Sequence, residues 1–499
     1  MADRRALVTG ATGYIGSRLV PQLLLEGWTV RVLSRSAEKV RSRPWHDDVE
    51  ISEGSADDAE HLASAMADVD VAYYFIHSMD GSAAWVEKDK EMAELFATTA
   101  REQGVSRIVY LSGLYPRGEE LSTHLGSRKQ AEDIFIDSQV PAAVLRAAVI
   151  LGAGSASFEM MRHLTDRLPV MIAPRWLSTN IEPIAIRDVV RYLVGAADLP
   201  PEVNRGFDIG AGEVLTYKDM IDRYAAVSRL AKRRVRTLPV MTPGLASHWV
   251  GLVTPVPAGI AKPLVGSLIH EVICKEHDIA EYIPDPEGGF LDFEEAVRRA
   301  LSGPQPVDLR PEVDPEAPSR ISAPDPEWAG MTVFADKHHS TVHATVEQVW
   351  SEVEKLGGGQ GWHVPDVLWR VRGLADRIVG GVGHRPYRDP GPFTEGMQVD
   401  SWVVERLISH EDGGRELHLR SRMKTPGKAR MIITVTPGQF PGTTEVGQQA
   451  QFTPVGLAGL GYWGALWLGH KPTFAAMHRG LTKAAERAAA GSPGQPASR

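Results

Sequence analysis

Short apolar runs alternate with stretches of helical spacing through the first third of the chain. The apolar run Arg5 to Thr9 comes first, then Tyr14 to Glu26, where Ile15, Leu19 and Leu23 recur every four residues. Strand-like runs follow at Thr29 to Leu33, Val49 to Ser52, Val71 to Ile76, Arg107 to Leu111 and Ala142 to Arg146. Between them, Glu60 to Met66, Ala84 to Gln103 and Ser122 to Ser138 carry helical spacing. Parallel strands need crossovers that helices supply, so this alternation predicts an α/β doubly wound parallel sheet.

The pattern breaks at Leu301 to Trp328, which holds seven prolines among acidic and small residues. Proline fixes φ and removes an N–H, so 301–328 reads as an extended linker. Beyond it, Ser340 to Val353 reads as a strand of alternating polarity and then a helix capped by Thr345. Gln398 to Ile408, Arg415 to Met423 and Lys428 to Thr436 read as antiparallel strands, with turns at Gly413-Gly414 and Pro426-Gly427, and a last helix spans about 471–489. The expected layout is a domain over 1–300, with substrate-side elements in 150–300, the linker, a second domain over 329–490, and a disordered tail at 491–499.

Composition adds limits. An apolar fraction of 43 % and a charged fraction of 23 % are ordinary for a globular chain. One cysteine, Cys274, excludes an internal disulfide framework and a multi-cysteine zinc site, and it fits a reducing, cytoplasmic location. The N-terminus runs straight into a strand, with no signal peptide expected. No run is long and apolar enough to span a membrane, and the nearest, Pro454 to Gly469, is short and glycine-rich. The net charge is −9, without a dense basic run, so nucleic acid is not an expected partner.

The first strand ends in Gly10-Ala11-Thr12-Gly13-Tyr14-Ile15-Gly16 and opens into a helix. Glycines 10, 13 and 16 suit a turn that lets backbone approach a pyrophosphate, with the helix N-terminus offering N–H groups to the phosphates. The spacing is three and three, not the two and three of the common dinucleotide fingerprint. The second strand ends in Ser34-Arg35, where an NAD-type site would carry an acid for the ribose 2′-OH. Arginine there suits a 2′-phosphate, so NADP(H) is favoured over NAD(H). The plainer alternative is a solvated surface arginine.

The segment Thr9 to Gly16 resembles the extended and atypical short-chain dehydrogenase/reductases, the branch that includes NmrA-like proteins. The resemblance covers about residues 1–300. Val105 to Ser112, Ile184 to Val189 and Phe207 to Gly210 with Leu215 to Tyr217 match further segments of that group. The whole arrangement, including Tyr73 to Met79, resembles bacterial two-domain NAD(P)H-binding proteins and implies a Rossmann-like domain. The tail's order resembles the α+β helix-grip fold of START-like and polyketide-cyclase-like proteins, which enclose an apolar cavity, with Trp402 and Trp463 as candidate lining residues and Trp350 as a core residue.

The resemblance also implies roles. The family's Tyr-x-x-x-Lys motif aligns with His124 to Arg128, placing His124 at the tyrosine and Arg128 at the lysine. His124 could serve as a general acid, and Arg128 would depress its pKa. Ser112 falls at or one residue before the family's serine, the alternative being Gly113. Tyr110, Tyr115 and His77 are other candidate donors, with Tyr110 reading as core. Ser55 and Ala56 match the adenine contact, Asp57 and Asp58 read as caps of the next helix, and Ile76 and His77 would border the nicotinamide ribose. No metal is expected. Leu238 to Ile269, without acids and with five prolines, reads as a connector over the substrate cleft or as an apolar face for a lipid-like ligand or membrane surface.

Three functions fit these residues. The first is an NADP-dependent oxidoreductase acting on a small or apolar substrate. The second is a non-catalytic nucleotide sensor of the NmrA-like kind, and the third a hydrophobic-ligand carrier. The substrate and the oligomeric state are not encoded in any motif.

Overall fold

The structure is a computed structural model that describes residues 4–76, 85–116, 118, 120–238, 250, 253–267, 269–302, 325–326, 328–364, 377, 383 and 387–491. The chain divides into two compact units, Met1–Met331 and Thr332–Arg499.

In the first unit, seven strands form one parallel sheet: β1 (Arg5–Thr9), β2 (Thr29–Ser34), β3 (Glu50–Glu53), β4 (Val71–Tyr74), β5 (Arg107–Gly113), β6 (Ala142–Ala147) and β7 (Arg205–Ile209). Their spatial order is β7-β6-β5-β4-β1-β2-β3. This is a doubly wound, Rossmann-like sheet. Its strands are buried on both faces, so they read as nearly continuous apolar runs. Along β4 and β5, residues alternate between the two cores. Tyr73 and Val109 face the core of α1 (Gly16–Leu25), while Tyr74, Ile108 and Tyr110 face the other side. That other core holds Leu62 of α3 (Ala59–Met66), Phe96 of α4 (Trp85–Glu102) and Phe135 of α5 (Thr123–Asp137); α2 is the short helix Ala37–Arg41. The aromatic rings there meet edge to face, Tyr74 to Phe96 at 4.9 Å and Tyr110 to Phe135 at 5.2 Å.

The strand order reverses between β1 and β4, and the carboxyl ends of those strands flank the crevice where such sheets take ligands. On the face of α1 the sheet is also covered by α7 (Ile186–Ala196), while α6 (Ala156–Arg167), α8 (Tyr217–Val227) and α10 (Phe293–Leu301) share a separate core and α9 (Ala258–Ser267) joins a smaller cluster. Within Leu238 to Ile269, Val250, Val256, Ala261 and Val265 are buried in one cluster, whereas Ile269 is 42 % exposed. Residues 239–249, 251–252 and 268 lie outside the described residues.

Most of the expected linker, 303–324 and 327, also lies outside the described residues. Asp325, however, is no part of a free spacer. Its carboxylate accepts two hydrogen bonds from Arg18, at 2.8 and 3.0 Å, with both side chains almost fully buried.

The second unit is a six-stranded antiparallel sheet of β8 (Phe334–Val342), β9 (Gln398–Val399), β10 (Trp402–Ser409), β11 (Arg415–Ser421), β12 (Gly427–Pro437) and β13 (Thr444–Pro454), ordered β8-β13-β12-β11-β10-β9. Helices α11 (Val346–Val353) and α12 (Gly456–Gly491) complete it. Thr345 caps α11 in a capping box with Gln348, as its sequence suggests.

Two elements differ from the sequence reading. The run Gln398 to Ile408 is broken at Asp400, whose φ of 54° turns the chain. That carboxylate accepts from Trp362 Nε1 at 2.7 Å, from the Tyr387 N–H at 2.8 Å and from the Gly358 N–H at 3.2 Å, which holds the uncommon backbone in place. And α12 starts at Gly456, well before residue 471. Its glycines and Pro472 weaken intrinsic helix propensity, but Trp463, Phe474, Met477, Leu481 and Ala485 recur on one buried stripe, and packing outweighs propensity. Residues 492–499 lie outside the described residues.

Among the described residues, the core of the second unit draws only on its own side chains, including Trp350, Leu417, Leu419, Ile433 and Met477. Residues 329–499 expressed alone are therefore expected to unfold in one cooperative thermal transition. A fragment that shows no such transition would contradict this.

Candidate nucleotide and substrate site

The glycine loop is shaped by contacts that no side chain could share. Gly10 takes φ of 67°, and a Cβ there would lie 2.7 Å from the carbonyl oxygen of Phe75. A Cβ on Gly16 would lie 2.5 Å from the Gly10 oxygen. Gly10 thus closes the turn against the end of β4, and Gly16 lets α1 pack on the turn. Gly13 is different: it is exposed, its N–H bonds to Gly10 O at 2.9 Å, and its outer side faces solvent. Ala11 is buried, and Thr12, Tyr14 and Ile15 are half-buried. No side chain caps the start of α1. The open glycine, the uncapped helix start and the left-handed turn together suit a pyrophosphate.

Two arginines tie this loop down from behind. Arg43 donates to Thr12 O at 2.6 Å. Arg18, besides Asp325, donates to Ala153 O at 2.8 Å and to Tyr14 O at 3.1 Å, and its guanidinium lies 4.1 Å over the Tyr14 ring. The Tyr14 hydroxyl packs where a Cβ on Gly152 would be, 2.5 Å away. Burial raises that hydroxyl's pKa far above the usual range.

Arg35 is exposed at the end of β2 and has no ion-pair partner among the described residues. Ser34 Oγ is engaged with Ser36, accepting from its N–H at 3.3 Å and donating to its carbonyl at 3.1 Å. Ser55 is half-buried and Ala56 buried beyond β3. Asp58 caps α3, accepting from the N–H groups of Glu60 and His61 at 3.1 Å. Asp57 does not cap. It accepts from Ser55 and lies 3.6 Å from Lys88 Nζ, and the two hold its carboxyl below the usual range. Ile76 is half-buried after β4. His77 lies outside the described residues.

The residues aligned with the family's Tyr-x-x-x-Lys motif lie near the end of β5. His124 sits in the first turn of α5, 8 % exposed, with Ser122 as the helix cap. Its Nε2 accepts from Arg128 Nε at 3.3 Å. Burial, and then the Arg128 charge, push its pKa down to about 3. Both effects favour the neutral ring. It orients Arg128, whose Nη1 also donates to Leu111 O at 3.2 Å. Ser112 is 3 % exposed, with its hydroxyl buried and without a hydrogen-bond partner among the described residues. A Cβ at Gly113 would lie 3.0 Å from Leu125 and 3.5 Å from Arg128 of α5. Tyr110 is fully buried, as its strand position suggests. Tyr115 is half-buried beside Glu132 and Arg146, with Arg146 5.5 Å over its ring. Burial and the Glu132 carboxylate raise its pKa far above the usual range.

Two groupings have no signal in the sequence, because their members are far apart along the chain. Arg146 bridges Glu132 at 2.5 Å and Asp208 at 3.1 Å below Tyr115. Ligating atoms of Glu182, Cys274 and His277 lie within 4.8 Å of one another. The Glu182 oxygens there already accept from the N–H groups of Gly212 and Cys274, at 2.9 and 3.0 Å.

Residues 10–152 match a family described as NAD(P)H-binding, and residues 328–477 match one described as a protein of unknown function, DUF2867. The first unit therefore contains an NAD(P)H-binding domain. The chain is 28 % identical over 213 residues to the ceramide reductase of Caulobacter vibrioides, spanning 40 % of this chain and 63 % of that protein. It is 22 % identical over 274 residues to the mitochondrial NADH dehydrogenase [ubiquinone] 1 alpha subcomplex subunit 9 of Arabidopsis thaliana, spanning 53 % of this chain and 67 % of that protein. Among solved structures, the Citrobacter sp. triphenylmethane reductase complexed with NADP(H) superposes with a TM-score of 0.47 at 19 % identity, covering 60 % of this chain and all of that one. Among the described residues, no helix is long and apolar enough to cross a membrane.

Two outcomes follow from the site. Gly104 also has positive φ (73°) but open space around it, so Gly104→Ala should cost only the left-handed penalty of about 1–2 kcal/mol. Gly10→Ala adds backbone overlap and should be clearly worse in urea unfolding; equal losses would refute the Phe75 contact as the constraint. The second concerns pH. His124 in the folded chain stays neutral down to about pH 3, whereas unfolded histidine protonates near 6.5. The unfolded state binds the extra proton in that window, so stability falls as pH falls, by up to about 1.4 kcal/mol per pH unit. His124→Gln should flatten the decline in melting temperature between pH 6.5 and 4.5, and an unchanged slope would contradict the assignment.

Proposed function

We propose that the chain is an NADP(H)-dependent oxidoreductase whose first unit moves hydride between the nicotinamide and an apolar, carbonyl-bearing molecule. The observation that carries the cofactor choice is Arg35, exposed and without an ion-pair partner among the described residues, at the strand end where an NAD site would place an acid. Gly10 to Gly16 would hold the pyrophosphate, Ser34 and Arg35 the 2′-phosphate, Ser55 and Ala56 the adenine, and Ile76 and His77 the ribose. When bound, the cofactor supplies or accepts the hydride. Arg128, held by His124 and Leu111 O, provides positive charge at the end of β5, where charge develops on a carbonyl oxygen. The product oxygen takes its proton from Tyr115 or water rather than from His124.

The ceramide reductase relative supports reduction as the reaction class and a lipid-like substrate. The second unit, with its sheet and long terminal helix, supports a helix-grip reading and a role in holding that substrate. A sensor without turnover is the second reading. It is favoured by the neutral, buried His124 and the enclosed Ser112 hydroxyl.

NADPH oxidation with a panel of long-chain aldehydes, ketones and quinones tests the reaction. Nucleotide binding without turnover across the panel would favour the sensor. Arg35→Ala should weaken NADPH binding by about 1.5–3 kcal/mol and leave NADH nearly unchanged. Equal effects on both cofactors would remove Arg35 from the site. The pH profile of kcat should lack a histidine-like break between pH 5.5 and 8, because His124 titrates far below it. A break near pH 6.5 that disappears in His124→Gln would restore the histidine as the acid.

A further inference from the structure

Three donors of different chemistry meet beside the end of β7, and the nucleotide loop uses none of them. Ligating atoms of Glu182, Cys274 and His277 lie within 4.8 Å of one another, with Glu182 and Cys274 buried and His277 exposed. The backbone brings them together. Glu182 follows the short strand Asn180–Ile181, whose neighbour is Val272. The Val272 N–H donates to Asn180 O at 3.1 Å, and the Glu182 N–H donates to Val272 O at 2.9 Å. From there the segment carrying Cys274 and His277 is held to β7. The Lys275 N–H donates to Asp208 at 2.9 Å, and Arg205 donates to Glu276 at 2.8 Å and to Asp278 at 2.7 Å.

Two features make this a built cluster. The first is orientation. Glu182 Oε1 accepts from the Gly212 N–H at 2.9 Å and Oε2 from the Cys274 N–H at 3.0 Å, so the carboxylate is fixed while each oxygen keeps a second lone pair. Outer hydrogen bonds of this kind hold metal-ligating carboxylates in place. The second is space. A Cβ on Gly210 would lie 2.2 Å from Glu182 Oε1 and 2.7 Å from Cys274 Sγ, so both donors sit against bare backbone. At the spacing of the three ligating atoms, an ion between them needs each side chain to close by less than about 1 Å to reach zinc distances of about 2.0–2.3 Å.

We propose that Glu182, Cys274 and His277 form a binding site for a divalent cation of the zinc class, with a fourth coordination position open on the exposed side of His277. A thiolate and an imidazole select such a cation over Mg2+ or Ca2+, which take oxygen donors. The thiolate is the ligand, so binding forms the bond from Cys274 Sγ to the metal and releases the thiol proton to the buffer. Glu182 and His277 each give a lone pair without losing a group. The neighbouring acids Glu276 and Asp278 are engaged by Arg205, which leaves three protein ligands. Three ligands and an open position are the arrangement of a zinc that takes a further group, in contrast to a closed structural zinc with four. Glu182 and Cys274 are 92 residues apart, so no local motif carries the site.

The site goes beyond the oxidoreductase reading, and its test uses the intact, metal-free protein without nucleotide, kept reduced with a phosphine. Co2+ serves as a visible stand-in for Zn2+. One Co2+ per chain should bind with a thiolate-to-cobalt charge-transfer absorption, which Zn2+ removes and excess Mg2+ does not. Cys274 is the single cysteine of the chain, so this absorption reports on this site alone. His277→Ala, at an exposed position, should weaken Zn2+ binding at least tenfold, read by displacement of Co2+, with little change in the melting temperature of the metal-free protein. Glu182→Gln should weaken it likewise, and His277→Ala alone decides if that variant does not fold. Absence of the absorption in the unaltered protein, or its loss with Mg2+, overturns the proposal. Zn2+ binding of equal strength in His277→Ala also overturns it, since that result leaves Glu182 as a hydrogen-bonded staple between Gly212 and Cys274 only.

Discussion

The left-handed turn at Gly10, pressed against the Phe75 carbonyl, is the constraint on which the first unit's site depends. It joins the ends of β1 and β4 where the strand order reverses. Gly16 can then lie against Gly10, which sets the direction of α1 and brings its uncapped N-terminus to the crevice. The Tyr14 hydroxyl reaches Gly152 from the same turn, so the loop after β6 is positioned by the same contact. A nucleotide loop needs open backbone on one side and rigid packing on the other, and Gly13 and Gly10 divide those tasks.

Buried charge holds the parts that the sheet alone does not. Arg18 with Asp325, Arg146 with Glu132 and Asp208, and Arg162 with Glu159 all lie largely out of solvent. Such pairs add little net stability over an apolar core, but removing one partner strands the other and typically costs about 3–5 kcal/mol. Their effect is geometric specificity. Arg18 fixes residue 325 against the back of the phosphate loop, and Arg146 fixes α5 to β6 and β7 beneath Tyr115. The same low-dielectric setting favours the neutral form of His124, whose Nε2 accepts from Arg128 Nε.

The doubly wound sheet was legible because its strands are buried on both faces and its helices carry clean periodicity. Caps read from local spacing, Asp58 for α3 and Thr345 for α11, are in place because capping is a local interaction. Asp57, one residue away, depends on Lys88 of a distant helix and was not readable as anything but a cap. The start of α12 was hidden by glycines that only tertiary packing overrides. The pairing of Arg18 with Asp325 spans 307 residues, and the meeting of His338 with His478 depends on a strand register and a helix face at once. The protonation of His124 was legible in direction, from Arg128 one turn away, but its depth follows from burial, which spacing alone does not give.

The central claim is that the first unit holds NADP(H) across the Gly10 to Gly16 turn, with the 2′-phosphate at Arg35. A crystal structure of the intact chain grown with NADPH tests it most directly. The account predicts the pyrophosphate over Gly13 at the start of α1 and the 2′-phosphate within hydrogen-bonding distance of the Arg35 guanidinium. A pyrophosphate bound elsewhere, or a 2′-phosphate with Arg35 turned away into solvent, would contradict it.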